Sequence, residues 1–377
     1  MSQWIKTKLG EIVILNYGKA LKAQDRNAGS IPVYSSGGLT GWHNKALINE
    51  QGIIIGRKGT VGKAYLTYGP FWCIDTAYYI LPNPSKYDFV FLFYLLKTLG
   101  LEELNEDSAV PGLNRDTAYS QEILLPSLPE QKAIASVLSS LDDKIDLLHR
   151  QNKTLESMAE TLFRQWFDVD SNDEWQEKNV LDIFTLVGGG TPKTSVAEYW
   201  TDEIPWISGG DISAAHQGYL YSTEKSISLA GLQNSSAKLL PKNSTVISAR
   251  GTVGKYALLA RDMAFSQSNY GIVSKIGSYP FFIYLLVGFI VDDLLTAAYG
   301  SVFDTITTRT FESVNLKFPS LNSIEKFNEE ISPIFSKKET NTQQIKTLEN
   351  LRDTLLPKLM SGEVRVQYAE EAIVSVA

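Results

Sequence analysis

One unit is written twice in this chain, and that duplication limits the available folds more than any other feature. Trp4 and Leu9-Gly10-Glu11-Ile12 match Trp175 and Val180-Leu181-Asp182-Ile183 at an offset of 171. Ile31-Pro32 with Ser36-Gly37-Gly38 matches Ile204-Pro205 with Ser208-Gly209-Gly210 at 172 to 173. Gly59-Thr60-Val61-Gly62-Lys63 recurs letter for letter as Gly251-Thr252-Val253-Gly254-Lys255, 192 further on, and Pro126-Ser127-Leu128 becomes Pro319-Ser320-Leu321 at 193. The jump in offset places an insertion of about 20 residues between Gly210 and Gly251. Ordered recurrence of this kind marks a repeat. The 377 residues therefore divide into two globular parts of ordinary domain size, each followed by the same kind of tail.

The tail reads as a long helix. Ile134, Leu138, Leu141, Ile145, Leu148, Asn152, Leu155, Ala159, Leu162 and Trp166 fall in alternating steps of four and three, a heptad seam. The second tail gives Phe327, Ile331, Ile334, Lys338, Asn341, Ile345, Leu348, Arg352, Leu355 and Leu359, the same seam with three polar interruptions. Two such stripes bury each other. Pro129 suits a first helical turn, whereas Pro333 lies inside the second pattern and predicts an irregular start there. The expected organisation is a globule over 1–128, a helix over 129–170, a second globule over 171–321, a helix over 322–362 and a tail over 363–377. Duplicated pairs assemble about a pseudo-twofold axis, so the two helices are expected to run antiparallel, as a coiled coil that separates the globules.

Within each globule the pattern is mixed, α+β. Gly52 to Gly56, Lys63 to Tyr68 and Ala77 to Leu81 read as short strands, and Phe89 to Lys97 as a buried helix. Cys73 is the only cysteine, so no disulfide forms within the chain, and the first residues show no apolar signal core. The longest apolar run, Phe281 to Val291, is short of the ~18 residues of a membrane span and predicts a core helix. A cytoplasmic protein with no membrane partner is expected. His43, His149 and His216 stand apart from other ligand types, so no metal site is expected.

Gly56-Arg57-Lys58-Gly59-Thr60-Val61-Gly62-Lys63-Ala64 superficially resembles a nucleotide-binding loop and fails on spacing. Five residues separate Gly56 from Gly62 where four are needed, Ala64 replaces the Mg²⁺-binding hydroxyl, and the second copy begins at Ser248. What both copies keep is a basic glycine turn: Arg57, Lys58, Gly59, Thr60 and Lys63 in one, Arg250, Gly251, Thr252 and Lys255 in the other. Glycines let backbone N–H groups approach a phosphate or base edge, and Arg and Lys supply counter-charge, so this turn is the first candidate for contact with DNA. Tyr34, Ser35, Ser36 and Gly37 with His43 and Asn44, and Trp206, Ser208, Gly209 and Asp211, form a second, polar-aromatic candidate loop. Gln267, Ser268 and Asn269, with Asp75-Thr76-Ala77-Tyr78 opposite them in the first copy, are a third. No catalytic residue emerges: Asn83-Pro84-Ser85-Lys86 lacks the second proline and the ring of an adenine methyltransferase motif, and Glu130-Gln131-Lys132 lacks a nuclease's Pro-Asp partner.

The duplicated unit, the Ile-Pro-x-x-Ser-Gly-Gly loop, the Gly-Thr-Val-Gly-Lys turn and Leu128-Pro129 with Glu130-Gln131-Lys132 and Ile134 at a helix start together resemble the specificity subunit of type I restriction-modification systems. The likeness runs from Trp4 to Val366 and weakens at Asn322-Ser323-Ile324-Glu325, where the second helix begins differently. It implies two target recognition domains reading an asymmetric bipartite site on double-stranded DNA. It also implies helices that dock methyltransferase subunits, two being expected, with restriction and translocase subunits in the full complex. S-adenosylmethionine, ATP and Mg²⁺ would sit on those partners, with no cofactor on this chain. The rival reading is a non-DNA scaffold whose rod joins two protein-binding domains. Net charge sharpens the expectation: the four segments up to 128, 170, 321 and 377 carry +1, −3, −3 and −2, a total of −7. Such a chain binds DNA weakly alone and relies on partners for phosphate-neutralising charge.

Overall fold

The computed structural model describes residues 4–104, 112–167, 175–299 and 305–366. It resolves into two compact units, residues 1–147 with 344–377, and residues 148–343. The division runs through both long helices, so each unit holds one globular part and a stretch of helix pair.

In the first unit, Ile5–Lys8 pairs antiparallel with Glu122–Leu125, setting the chain's start beside the segment that leads into the first long helix. A four-stranded antiparallel sheet has the order Asn16–Tyr17, Ala77–Ile80, Gly52–Gly56, Ala64–Thr67. Ile53, Ile54 and Ile55 on its central strand are all fully buried, because both faces are covered and the strand reads as an unbroken apolar run. A second sheet places Ile31–Ser35 between antiparallel Gly38–His43 and parallel Trp72–Cys73. Helix Phe89–Thr98 starts where the Asp88 side chain accepts from the backbone N–H of Val90 and Phe91, and it buries Phe91, Leu92, Leu95 and Leu96.

The second unit repeats this plan and adds to it. Gln176–Asn179 pairs with Asn315–Phe318 as its counterpart does. The central sheet has the order Phe184–Gly188, Asn269–Ser274, Thr245–Ser248, Tyr256–Leu259, Tyr219–Leu220. The smaller sheet has the order Lys225–Ile227, Ile204–Ile207, Met263–Phe265, Leu239–Leu240. The longer segment between Gly210 and Gly251 adds the edge strand Tyr219–Leu220 and helix Leu229–Gln233. Lys225–Ile227 pairs with Ile204–Ile207 as Gly38–His43 does with Ile31–Ser35, and Leu240 faces Met263 as Ile48 faces Phe71. Edges are where extra strands can join without breaking an existing ladder.

The core helix of this unit, Pro280–Tyr299, is longer than its apolar run suggested. By length and composition it is enough to cross a membrane. Its Phe282, Ile283, Leu286, Val287, Ile290 and Leu294 are nevertheless buried in the protein core.

The first long helix spans Leu128–Trp166 and the second Leu321–Met360. In the first unit Glu130 meets Arg365 and Asp142 meets Arg352, at 3.2 and 2.8 Å. In the second, Asn152 meets Thr342 at 3.1 Å, Glu156 meets Lys338 at 2.9 Å, and Trp166 meets Glu330 at 3.0 Å. Within each unit, advance along one helix is retreat along the other, so the pairing is antiparallel. Ile134, Leu138, Leu141, Ile145 and Leu148 are buried, as are Ile331, Ile345, Leu348, Leu355 and Leu359. Leu155 and Leu162 are only half-buried, and Phe163, outside the heptad seam, is buried instead. Its ring lies against Phe167, Phe282 and Phe327, so the globular core draws the helix round toward itself.

Pro333 does not disturb the second helix, contrary to expectation. The helix runs unbroken through it. Pro333 and Glu329, whose carbonyl loses its partner, are both exposed, so water can replace the missing hydrogen bond, while buried Ile331 and Phe335 hold the turn.

Candidate nucleic-acid interface

The repeated glycine turn joins antiparallel strands in both units. After Gly52–Gly56 it closes with Gly62 N–H donating to the Gly56 carbonyl at 2.9 Å, and Gly56 N–H to that of Lys63 at 3.0 Å. After Thr245–Ser248 the same pair recurs, Gly254 to Ser248 at 3.0 Å and Ser248 to Lys255 at 2.8 Å. Gly59, Gly62, Gly251 and Gly254 have φ of +80°, +77°, +78° and +80°, which L side chains rarely adopt. A Cβ on Gly62 would also stand 2.2 Å from the backbone nitrogen of Glu102. Gly62→Ala should therefore destabilise the first unit by about 2 to 4 kcal/mol, read as a lower melting temperature by calorimetry. No helix follows this turn, so it has no helix N-terminus with which to cradle a nucleotide phosphate, and the nucleotide-loop reading fails on geometry too.

The turn presents its cations outward. Lys58 and Lys63 are exposed in the first unit, and Arg250 and Lys255 in the second. The 192-residue offset puts Arg250 at the place of Lys58 and Ala249 at that of Arg57, so the cations common to both copies are Lys58/Arg250 and Lys63/Lys255. Backbone bonds confirm the equivalence: Leu113 N–H donates to the Arg57 carbonyl at 2.8 Å, and Ile306 N–H to that of Ala249 at 3.1 Å.

Each turn is braced by the other two candidate segments. In the first unit Arg57 and Lys58 N–H both donate to the Thr76 carbonyl, at 2.9 and 3.0 Å, and Ser36 N–H donates to the Thr76 hydroxyl at 3.3 Å. In the second, Ala249 N–H donates to the Ser268 carbonyl at 2.9 Å, and the Thr252 hydroxyl to the Gly209 carbonyl at 3.1 Å. Three stretches distant in sequence thus meet at one surface in each unit. The shared Ser-Gly-Gly letters nevertheless fold differently. Ser35, Ser36 and Gly37 make a hairpin turn, with the Ser35 hydroxyl accepting from Gly37 N–H at 3.2 Å, whereas Ser208 caps helix Gly209–Ala214. Asp211 decides this: its carboxylate accepts from Ser208 N–H at 2.8 Å, completing a capping box.

Several candidate side chains are turned inward. His43 is buried, its Nδ1 accepting from Asn27 N–H at 3.0 Å and its ring edge-on to Trp72. Trp206 is buried and donates from Nε1 to the Gly190 carbonyl at 2.9 Å. Asn269 is buried and donates to the Ser266 hydroxyl at 2.9 Å. Asp211 is occupied by its cap and by Glu224 N–H, and Tyr34 packs edge-on against Phe71. These residues shape the surface from below. Gly37, Gly59, Thr60, Gly251 and Gln267 remain exposed beside the cations, whereas Asn44, also exposed, lies beside Gly29 at the far end of the hairpin from the Ser35–Gly38 turn. His216 lies near Lys255, and desolvation, then the Lys255 charge, lowers its pKa below the ordinary imidazole value.

Tyr17 and Arg115, absent from the sequence-derived set, stand beside Arg57. They lie 40 and 58 residues from it, so no local motif could have joined them. Among the described residues no group of three or more His, Cys, Asp or Glu is placed to hold a metal ion.

Comparison with known proteins gives a consistent outcome. The family model described as "Type I restriction modification DNA specificity domain" matches residues 1–157 and again 172–351. The chain is similar to the type I restriction enzyme MjaIX specificity subunit of Methanocaldococcus jannaschii, 28% identical over 74% of this chain and 69% of that one. It is also similar to the HindI specificity subunit of Haemophilus influenzae, 22% identical over 78% and 81%. Its fold matches the crystal structure of a type I restriction-modification S subunit from M. genitalium with a TM-score of 0.68, covering 95% of this chain and 96% of that one at 16% identity. With its two globular parts each matched by that model, the chain belongs to the type I restriction-modification DNA specificity family.

Proposed function

We propose that this chain is the DNA sequence-recognition subunit of a type I restriction-modification complex, each globular part reading one half of an asymmetric bipartite site. The observation that carries this reading is the doubled glycine turn. Lys58 and Lys63, and Arg250 and Lys255, are exposed on the same backbone framework in both units, while the surroundings differ. A hairpin flanks one turn; a capped helix flanks the other. A common framework suits phosphate contacts that fix register, and divergent surroundings suit two different base sequences.

The long helices link the two readers and offer docking surface for methyltransferase subunits, two by expectation, with restriction and translocase subunits joining the full complex. This chain is then non-catalytic. Adenine methylation with S-adenosylmethionine, and ATP- and Mg²⁺-dependent cleavage, would fall to the partners. The net charge of −7 supports dependence on those partners for duplex binding.

The test is selection of bound duplexes from a random pool by this chain purified with its methyltransferase subunits. The expected product is two short dissimilar sequences at fixed spacing. Removing one whole heptad from each long helix shortens each helix by about 10 Å and should shorten the spacer by about three base pairs, leaving both half-site sequences alone. Altered half-site bases at unchanged spacing would refute the helices as the spacing element.

A further inference from the structure

The first unit carries a cationic surface that its repeat lacks. The guanidinium carbon of Arg57 lies 5.2 Å from the centre of the Tyr17 ring and that of Arg115 lies 5.3 Å from it, while Tyr17 itself stays 52% exposed. The fold converges on this arrangement from four directions. Tyr17 ends an edge strand opposite Tyr78. Arg57 is steadied by donating from Nη2 to the Asp75 carbonyl at 2.8 Å, and its guanidinium lies 5.8 Å from the Tyr78 ring. Leu113 N–H, bonded to the Arg57 carbonyl, brings up the segment that carries Arg115. The Tyr78 hydroxyl donates to the Leu113 carbonyl at 3.3 Å and locks that segment down.

Two guanidiniums drawn onto one ring repel each other, and the ring's quadrupole offsets only part of that. Elsewhere in the chain Arg352 and Arg365 are paired with carboxylates. Among the described residues neither Arg57 nor Arg115 makes such a pair. An anion entering between them would supply the missing charge, and a stacked, planar guanidinium is preset to grip a phosphate with two hydrogen bonds. The repeat offsets of 171, 192 and 193 place Gly188, Ala249 and Thr308 at the equivalent positions of the second unit, where neither ring nor cation survives.

We infer that Tyr17, Arg57 and Arg115 form a phosphodiester grip that clasps the DNA backbone beside the half-site read by the first unit, a contact the second unit does not make. The inference rests on the DNA-recognition reading above and deepens it: backbone anchorage is lopsided, heavier at one half-site than at the other. The grip positions the duplex and carries no base information.

The test uses the complex with its methyltransferase subunits on a cognate and a scrambled duplex, titrated between about 50 and 200 mM salt. Arg115→Ala and Arg115→Gln should weaken binding to both duplexes by the same factor and flatten the slope of log affinity against log salt by about 1, with the methylated sequence unchanged. Because Arg115 is exposed, the melting temperature should stay at that of the parent chain. Neutral methylphosphonate linkages scanned along the cognate duplex should include one that weakens the parent complex and leaves the Arg115→Ala complex unaffected. A parent-like salt slope in both variants, or a loss confined to the cognate duplex, would overturn the grip. A parent complex that does not prefer its cognate duplex would instead overturn the recognition reading beneath it.

Discussion

Alanine at both Lys58 and Arg250 should lower the affinity of the assembled complex for its cognate duplex about 100-fold or more and abolish methylation in the cell, with the subunits still co-purifying. These two cations occupy the same place on the same turn in the two units, and both point to solvent. A good contact from such a group to a phosphate or guanine edge contributes about 1 to 3 kcal/mol, and each tenfold in affinity corresponds to about 1.4 kcal/mol. The two sites lie in separate units with no shared partner, so their losses should add. Electrophoretic mobility shift with the purified complex measures the effect. Parent-like affinity in the double variant would remove the turn from the interface.

The other large effect is expected inside the second unit. Lys338 interrupts the heptad seam with a charge and is only 6% exposed. Its Nζ lies 2.9 Å from Glu156 Oε1 and donates to the Gln217 carbonyl at 3.0 Å, while the Tyr284 hydroxyl donates to the same carboxylate at 3.3 Å. Lys338→Ala leaves that carboxylate without its cation, and removal of one partner of a buried pair costs about 3 to 5 kcal/mol. Part of that is offset here because Glu156 keeps some access to water. A fall of about 3 kcal/mol in unfolding free energy by denaturant titration is the expected result. Lys338→Met with Glu156→Gln should recover much of it, since no charge then remains buried. A stable single variant would mean that the pair carries no net weight.

Those seam interruptions show what the sequence can and cannot disclose. Periodicity was sufficient to place both long helices, because a stripe of Ile and Leu repeating every seven residues has one economical way to be buried. It gave no partner for Lys338, Asn341 or Arg352. Those partners, Glu156, Asn152 and Asp142, lie some 180 to 210 residues away, and only the antiparallel register brings them together. Pro333 misled because an exposed helix face tolerates a missing hydrogen bond that a buried face would not.

The candidate interface was legible to the extent that it was repeated. The glycine turn needs left-handed backbone at two positions, and that requirement preserves its letters in both copies. Side-chain direction was not legible: His43, Trp206 and Asn269 have residue types suited to reading bases, but strand alternation and core packing turn them inward. Ser-Gly-Gly shows the same limit in another form. Asp211 three residues after Ser208 makes a capping box and hence a helix, while Leu39 three residues after Ser36 leaves the same letters free to turn a hairpin. Tyr17, Arg57 and Arg115 share no motif at all; they meet through the pairing of an edge strand and one backbone hydrogen bond.

Mapping N6-methyladenine across a genome in cells that express this chain with its methyltransferase subunits tests the central claim most directly. The expected map is a single motif of two dissimilar half-sites at constant spacing, lost when Lys58 and Arg250 are both alanine. Methylation at one continuous sequence, or a bipartite motif that persists unchanged in the double variant, would contradict it.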